Sequence, residues 1–252
     1  MNVTTGTRDG AVVLVTGSSR GIGAETARRC AARQDVGTVV VHHRDERKDW
    51  MARGVAASVE RLGARCEVVR ADITDPEQSR WMVQTIAERC GRLDGVVLNA
   101  SGGLERDTAG TDYALRINRD AQSDLVGRAL PLMEQGGRFA YVTSHWAHFG
   151  RRDLGAYTPV ASSKRAGEDL LRLRFSEPGR RGPQLVVVSG DMVADSTIVL
   201  LLERMNPGWI AARRAQVSEL PDTAEFAEAV AGALFGPQDE PVRTVYVGST
   251  RL

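Results

Sequence analysis

The chain has 252 residues. A chain of this length buries roughly 70–75% of its unfolded surface, so neither disulfides nor metal are needed for a core. Hydrophobic residues make up 42% and charged residues 26%, an ordinary soluble-globular balance, and the 5% of aromatics is too sparse for a stacking platform that binds single-stranded nucleic acid. With 33 Lys+Arg against 32 Asp+Glu the net charge is +1, which argues against DNA, whose binding needs a basic face to displace counterions.

The longest aliphatic run, Ile198 to Leu202, is far too short to cross a bilayer, so no membrane partner is expected. The polar start MNVTTGTRDG has no basic stretch followed by an apolar one, so no secretory signal is expected. Cys30, Cys66 and Cys90 are an odd number without metal-like spacing. They read as buried, reduced thiols of a cytoplasmic protein.

In chain order, short β-rich runs alternate with longer helical patterns. Ala11–Thr16 reads as a strand buried on both faces, Gly21–Arg33 as a helix, and Thr38–Val41 as a second buried strand. An amphipathic helix follows at Lys48–Leu62, then a short strand at Glu67–Val69. A helix at Pro76–Cys90 starts after Thr74 or Asp75, both fair caps. Gly95–Leu98 is a strand, Tyr113–Met133 a long helix, Arg138–Thr143 a strand and Pro159–Phe175 a helix. Strand Leu185–Val188, helix Ala224–Phe235 and strand Thr244–Val247 complete the chain. Seven strands alternating with helices predict an α/β fold: one doubly wound, Rossmann-type parallel sheet with helices on both faces, as a single domain over residues 1–252. Residues 191–222, with Pro207, Gly208, Trp209 and Pro221, break the alternation. They read as a flap over the substrate side of the ligand crevice.

The first strand runs into Thr16-Gly17-Ser18-Ser19-Arg20-Gly21-Ile22-Gly23. Gly17 permits a tight turn, Gly21 lets backbone approach a pyrophosphate, and Gly23 permits close packing of helix on strand. The helix start then offers free N–H groups and its positive dipole end to phosphates. The second strand ends in His42-His43-Arg44, with acids only from Asp45 onward. An NAD site usually carries Asp or Glu near this tip for the ribose hydroxyl. Arg44 and Arg20 instead suit a 2′-phosphate, because a guanidinium donates two charge-assisted hydrogen bonds. The pattern favours NADPH/NADP over NADH.

The segment TGSSRGIG, Asp72-Ile73 after strand three, Asn99-Ala100 after strand four, Asn118, Ser144 and Lys164 together resemble the short-chain dehydrogenase/reductase family over essentially the whole chain. Asn99-Ala100-Ser101 stands where the family usually has Asn-Asn-Ala-Gly, and Ser189-Gly190 where it has Pro-Gly near the nicotinamide. The resemblance implies that Asp72 bonds the adenine amine, Ile73 packs on the adenine, and Asn99 supports the central strand. It also implies hydride transfer between a nicotinamide and a carbonyl or alcohol. In that reaction Ser144 polarises the carbonyl oxygen, Lys164 clamps the ribose, Asn118 holds a relay water, and a tyrosine supplies the proton. The family's tyrosine lies four residues before the lysine, and Val160 stands there. Tyr157 lies seven before Lys164 yet thirteen after Ser144, the family's usual Ser-to-Tyr interval.

In a continuous helix a separation of seven spans about 10 Å along the axis, against about 6 Å for four. Pro159 favours a helix start with Thr158 as cap, which leaves Tyr157 in the preceding loop. The proton donor is therefore Tyr157 or, failing it, His145, His148, a water relayed from Lys164, or a substrate hydroxyl. Ser144-His145-Trp146-Ala147-His148-Phe149 is unusually aromatic and suits a flat substrate. No carboxylate or Cys accompanies the two histidines at a convincing spacing, so no metal is expected. The expected activity is reduction of a small, cyclic or aromatic ketone. The alternative is a redox sensor that binds the dinucleotide without chemistry. The resemblance also implies a homo-oligomer, dimer or tetramer, sharing the faces of Tyr113–Met133 and Pro159–Phe175.

Overall fold

The computed structural model describes residues 10–104, 110–151, 154–177, 179, 181–217, 219–237 and 239–251. Seven strands form one parallel sheet in the order β3-β2-β1-β4-β5-β6-β7. They are β1 Ala11–Val15, β2 Val36–His43, β3 Arg65–Arg70, β4 Gly95–Leu98, β5 Arg138–Ser144, β6 Gln184–Gly190 and β7 Val242–Val247. The order reverses between β1 and β4, and there the crevice at the carboxyl ends opens.

Alternation along β1 explains the layers. Val12 and Leu14 face one core with Met82, Leu125 and Leu171. Val13 and Val15 face the other, with Ala27, Val55 and Val230. The first core is covered by α3 (Pro76–Cys90), α5 (Ala121–Ala129) and α7 (Thr158–Phe175), the second by α1 (Gly21–Ala32), α2 (Asp49–Arg61) and α10 (Thr223–Phe235). Strands buried on both faces read as continuous Val/Leu runs, which is why the sequence shows them so plainly.

Several expectations about local structure change. The second strand extends beyond Thr38–Val41 at both ends, because Val36 and His43 continue the pairing with β1 and β3. The long helix Tyr113–Met133 is three pieces: α4 (Gly110–Leu115), a π-helical turn at Arg116–Asp120, and α5, followed by a tight turn at Leu130–Leu132. The π turn carries Asn118, and such turns gather at functional sites. Thr158 is not the cap of α7. Its hydroxyl accepts from Leu154 N–H at 3.0 Å, and Tyr157 holds the cap position at the end of a 3-10 turn, Gly155–Tyr157. Residues His145–His148 form a short helix, α6. Over the crevice, the 191–222 segment folds into α8 (Thr197–Met205) and α9 (Trp209–Arg214). Among the described residues no helix is long and apolar enough to cross a membrane.

Candidate active site

The β1–α1 turn is held by backbone and buried polar groups. Gly17 and Gly21 adopt φ of 65° and 56°, a region that strains any side chain. The Gly17 N–H donates to Nδ1 of His42 at 3.0 Å, and His42 Nε2 donates to the carbonyl of Ala71 at 2.9 Å. This ring is the neutral tautomer, and burial pushes its pKa down to about 4. Asn99 donates to the carbonyls of Thr16 and Gly17 at 2.9 and 3.2 Å, while the Thr16 hydroxyl accepts from the N–H groups of Asn99 and Ala100. A Cβ on Gly23 would lie 2.5 Å from the Gly17 carbonyl and 2.6 Å from Asn99 Nδ2, so only glycine lets α1 come this near.

The start of α1 faces the cleft. The Arg20 side chain makes no cap bond, and the first turn holds no acid. A Cβ on Gly21 would meet only Thr197 Oγ1, at 3.6 Å, so the approach is open. Free N–H groups and an unopposed dipole end therefore point at a cavity of about 510 Å³ that runs from this turn to Ser144. Ser19, Arg20, Ile22, Asp72, Ile73, Ala100 and Ser101 all line it. These groups fit a dinucleotide: donors and cations at the phosphate end, a carboxylate and the buried Ile73 at the adenine end.

At the β2 tip the guanidinium of Arg44 lies 5.7 Å over the Tyr113 ring, bonds its hydroxyl, and sits 4.0 Å from the Asp72 carboxylate. His43 lines the cleft too, but its ring serves the chain itself. Nδ1 bonds the Asp45 carbonyl at 3.1 Å, and Nε2 is 3.4 Å from the Asp49 carboxylate. Lys48 is a cation that the sequence reading missed. It lines the same end of the cleft, and its pKa is lowered by burial and by the facing charges of Arg20 and Arg44. Its neighbour Arg47 is instead paired with Asp45 and exposed to solvent. The run Arg44-Asp45-Glu46-Arg47-Lys48 names the charges, but only the tight turn at Glu46–Lys48 selects which one turns inward.

The other end is apolar. Tyr157, Val160, Ala161, Ala147 and Leu202 form a small buried cluster of their own, with Leu104, Trp146 and Trp209 packed against it. Within it the Tyr157 hydroxyl donates to Ser144 Oγ at 3.1 Å. Ser144 Oγ also accepts from Ala147 N–H at 3.3 Å, which leaves the serine proton for another acceptor. Burial raises the Tyr157 pKa, so the phenol keeps its proton. Lys164 donates from Nζ to the Val142 carbonyl at 2.8 Å, and burial lowers its pKa to about 8. Ser144, Tyr157 and Lys164 all line the cavity.

Four named residues lie behind its wall. Asn118 is buried, receives a bond from Ser101 at 2.8 Å, and donates to the Gly102 carbonyl and Ser163 at 2.9 Å each. It braces Ser101 and Gly102, which line the cavity. Gly190 packs against the Phe226 ring, and Asp191, Met192 and Val193 form the lining after β6. His145 is buried against Ser189 at 2.8 Å, and burial lowers its pKa to about 4. His148 is held by the buried Glu168 at 2.6 Å and by Tyr246 at 3.0 Å. Neither histidine reaches the cavity as the proton donor of last resort. Among the described residues no cluster of His, Cys, Asp and Glu could hold a metal.

Residues 11–196 match the short chain dehydrogenase family profile. A 1-cyclohexenylcarbonyl-CoA reductase of Streptomyces collinus is 29% identical over 85% of this chain and 79% of its own length. A short chain dehydrogenase of Burkholderia cenocepacia J2315, solved in complex with NADP, superposes with a TM-score of 0.78 at 27% identity, covering 96% of this chain and 98% of that one. LugOII, a promiscuous reductase that catalyses keto-reduction at C1 during lugdunomycin biosynthesis, superposes with a TM-score of 0.76 at 25% identity, covering 98% and 100%.

Proposed function

The chain belongs to the short-chain dehydrogenase/reductase family, an oxidoreductase family, and on that premise we propose that it reduces the ketone of a small cyclic or aromatic molecule to an alcohol, using NADPH. One observation carries the reading. The hydroxyls of Tyr157 and Ser144 lie 3.1 Å apart at the apolar end of the cleft, so both can meet one carbonyl oxygen.

The nicotinamide supplies the hydride when bound. Ser144 donates its free proton to the carbonyl oxygen as a hydrogen bond and polarises it. Tyr157 transfers its proton to that oxygen as negative charge develops there. Burial raises its pKa, which keeps the phenol protonated, as a proton donor must be. Lys164, buried beside β5, holds the ribose end and replaces the lost proton. Asn118 keeps Ser101 and Gly102 in place across the cleft. The apolar lining by Leu104, Trp146, Val160, Ile198 and Leu202 supports a flat, uncharged substrate. Arg20, Arg44 and Lys48 support a 2′-phosphate and hence NADPH. The outer face of α7 exposes Leu170 and, at 72%, Leu173, which supports a homo-oligomer. Sedimentation analysis of wild type and Leu173→Glu tests that assembly.

The activity test is consumption of NADPH with a panel of bicyclic and aromatic ketones. Ser144→Ala and Lys164→Ala each lose most of the turnover. Tight NADPH binding with no oxidation on any ketone would overturn the reading in favour of a redox sensor. Full rates in both variants would refute the site.

A further inference from the structure

Tyr157 lies just outside α7, as the last residue of the 3-10 turn Gly155–Tyr157 and the cap residue of the helix. The ring is set by what touches it. Trp146 meets it edge-on, with centroids 5.9 Å apart at 70°. Trp146 in turn stacks on Trp209, at 5.1 Å and 21°. Trp209 is the first residue of α9, in the segment that covers the cleft, more than fifty positions away in sequence. Edge-on and stacked ring pairs of this geometry attract beyond what area burial alone supplies.

Trp209 is itself held at both ends of its helix. The Glu203 carboxylate accepts from the N–H groups of Gly208 at 2.7 Å and Ile210 at 2.8 Å, capping the start of α9. Near the other end, Arg213 makes a buried two-pronged bond to Asp191, at 2.9 and 2.8 Å. It also reaches the carbonyls of Ser249 and Arg251. Asp191 is part of the cleft lining immediately after β6. The covering segment is thus tied to the strand ends on one side and to the Tyr157 ring on the other.

We propose that Trp209 is a positioning residue for proton transfer: through Trp146 it holds the Tyr157 phenol against Ser144, coupling the covering segment to the proton donor. This rests on Tyr157 being that donor. A displacement of a catalytic group by about 1 Å costs up to about 100-fold in rate, so the aromatic chain sets kcat rather than affinity.

The experiment uses the full-length protein, NADPH and 1-tetralone. Trp209→Ala lowers kcat about 10- to 100-fold, with NADPH affinity unchanged and KM little altered. Trp209→Phe, which keeps a ring in the stack, recovers kcat to within about threefold. The exciton couplet of stacked indoles in the far-ultraviolet circular dichroism disappears in both variants. Wild-type kcat in Trp209→Ala, beside an inactive Tyr157→Phe, overturns the inference and spares the proposed function. Full activity in Tyr157→Phe overturns Tyr157 as donor, and the inference falls with it. Loss of NADPH binding in both Trp209 variants also overturns it, because the tryptophan then supports the cleft as a whole. A wild type that turns over neither 1-tetralone nor any ketone of the panel removes the proposed function and this inference together.

Discussion

At the phosphate end of the cleft, the turn from Thr16 to Gly23 makes its contacts with backbone: N–H groups at the start of α1, carbonyls held by Asn99, and a Gly17 N–H received by His42. At the apolar end, Ser144, Trp146, Tyr157 and Trp209 come from separate segments and meet through side chains. The first region tolerates little variation, since a Cβ at Gly23 would collide with backbone. The second is less constrained, because what matters there is only where a side-chain hydroxyl ends up, not which backbone position carries it. A phenol arriving from the turn at Tyr157 reaches Ser144 even though Val160 stands at the helix position. Backbone-built sites are constrained by chain geometry, and side-chain-built sites by the position of a few atoms.

The largest expected effect breaks the substrate end alone. Tyr157→Phe lowers kcat about 10²- to 10⁴-fold, the usual contribution of a general acid, and leaves NADPH affinity unchanged in a fluorescence titration. Restoring a tyrosine at Val160 in that background tests whether the family position has been vacated. Renewed turnover shows that either route to Ser144 suffices.

The next effect belongs to the cradle. His42 titrates near 6.5 when unfolded and about 4 when folded, so the unfolded state binds more protons between those values. Stability contributed by neutral His42 is fully present above pH 6.5 and is lost as pH falls through about 4, a total of about 3 kcal/mol. Urea denaturation of wild type against His42→Asn across this window isolates it. Equal slopes in the two proteins would remove His42 from the account.

Arg20→Ala or Arg44→Ala weakens NADPH about 10- to 100-fold, the loss of a charge-assisted contact, while NADH binding stays constant. Equal losses for both coenzymes would place these arginines away from the 2′-phosphate. Gly23→Ala costs about 1–3 kcal/mol through forced displacement of α1, read as a lowered Tm. Lys48→Met is the mildest change, raising the NADPH Kd at most about fivefold, because a partly exposed ammonium is well screened.

Sequence alone determined the sheet, its seven strands and the cradle. Val/Leu runs buried on both faces and glycines spaced for one turn are local patterns whose meaning does not depend on distant residues. It could place Tyr157 in a turn before a helix but could not aim it. The conflict between the Ser144 and Lys164 spacings was visible, but the 3.1 Å contact of the Tyr157 hydroxyl with Ser144 was not. Only the fold showed that Asn118 sits on a π turn facing Ser101 rather than the cavity, and that His145 and His148 turn away. Only the fold showed that Lys48 joins Arg20 and that Trp209 closes on Trp146. Each of these depends on where a side chain points after a turn. That direction is set by packing between segments far apart in the chain, whereas a strand or a glycine turn is set by its own few residues.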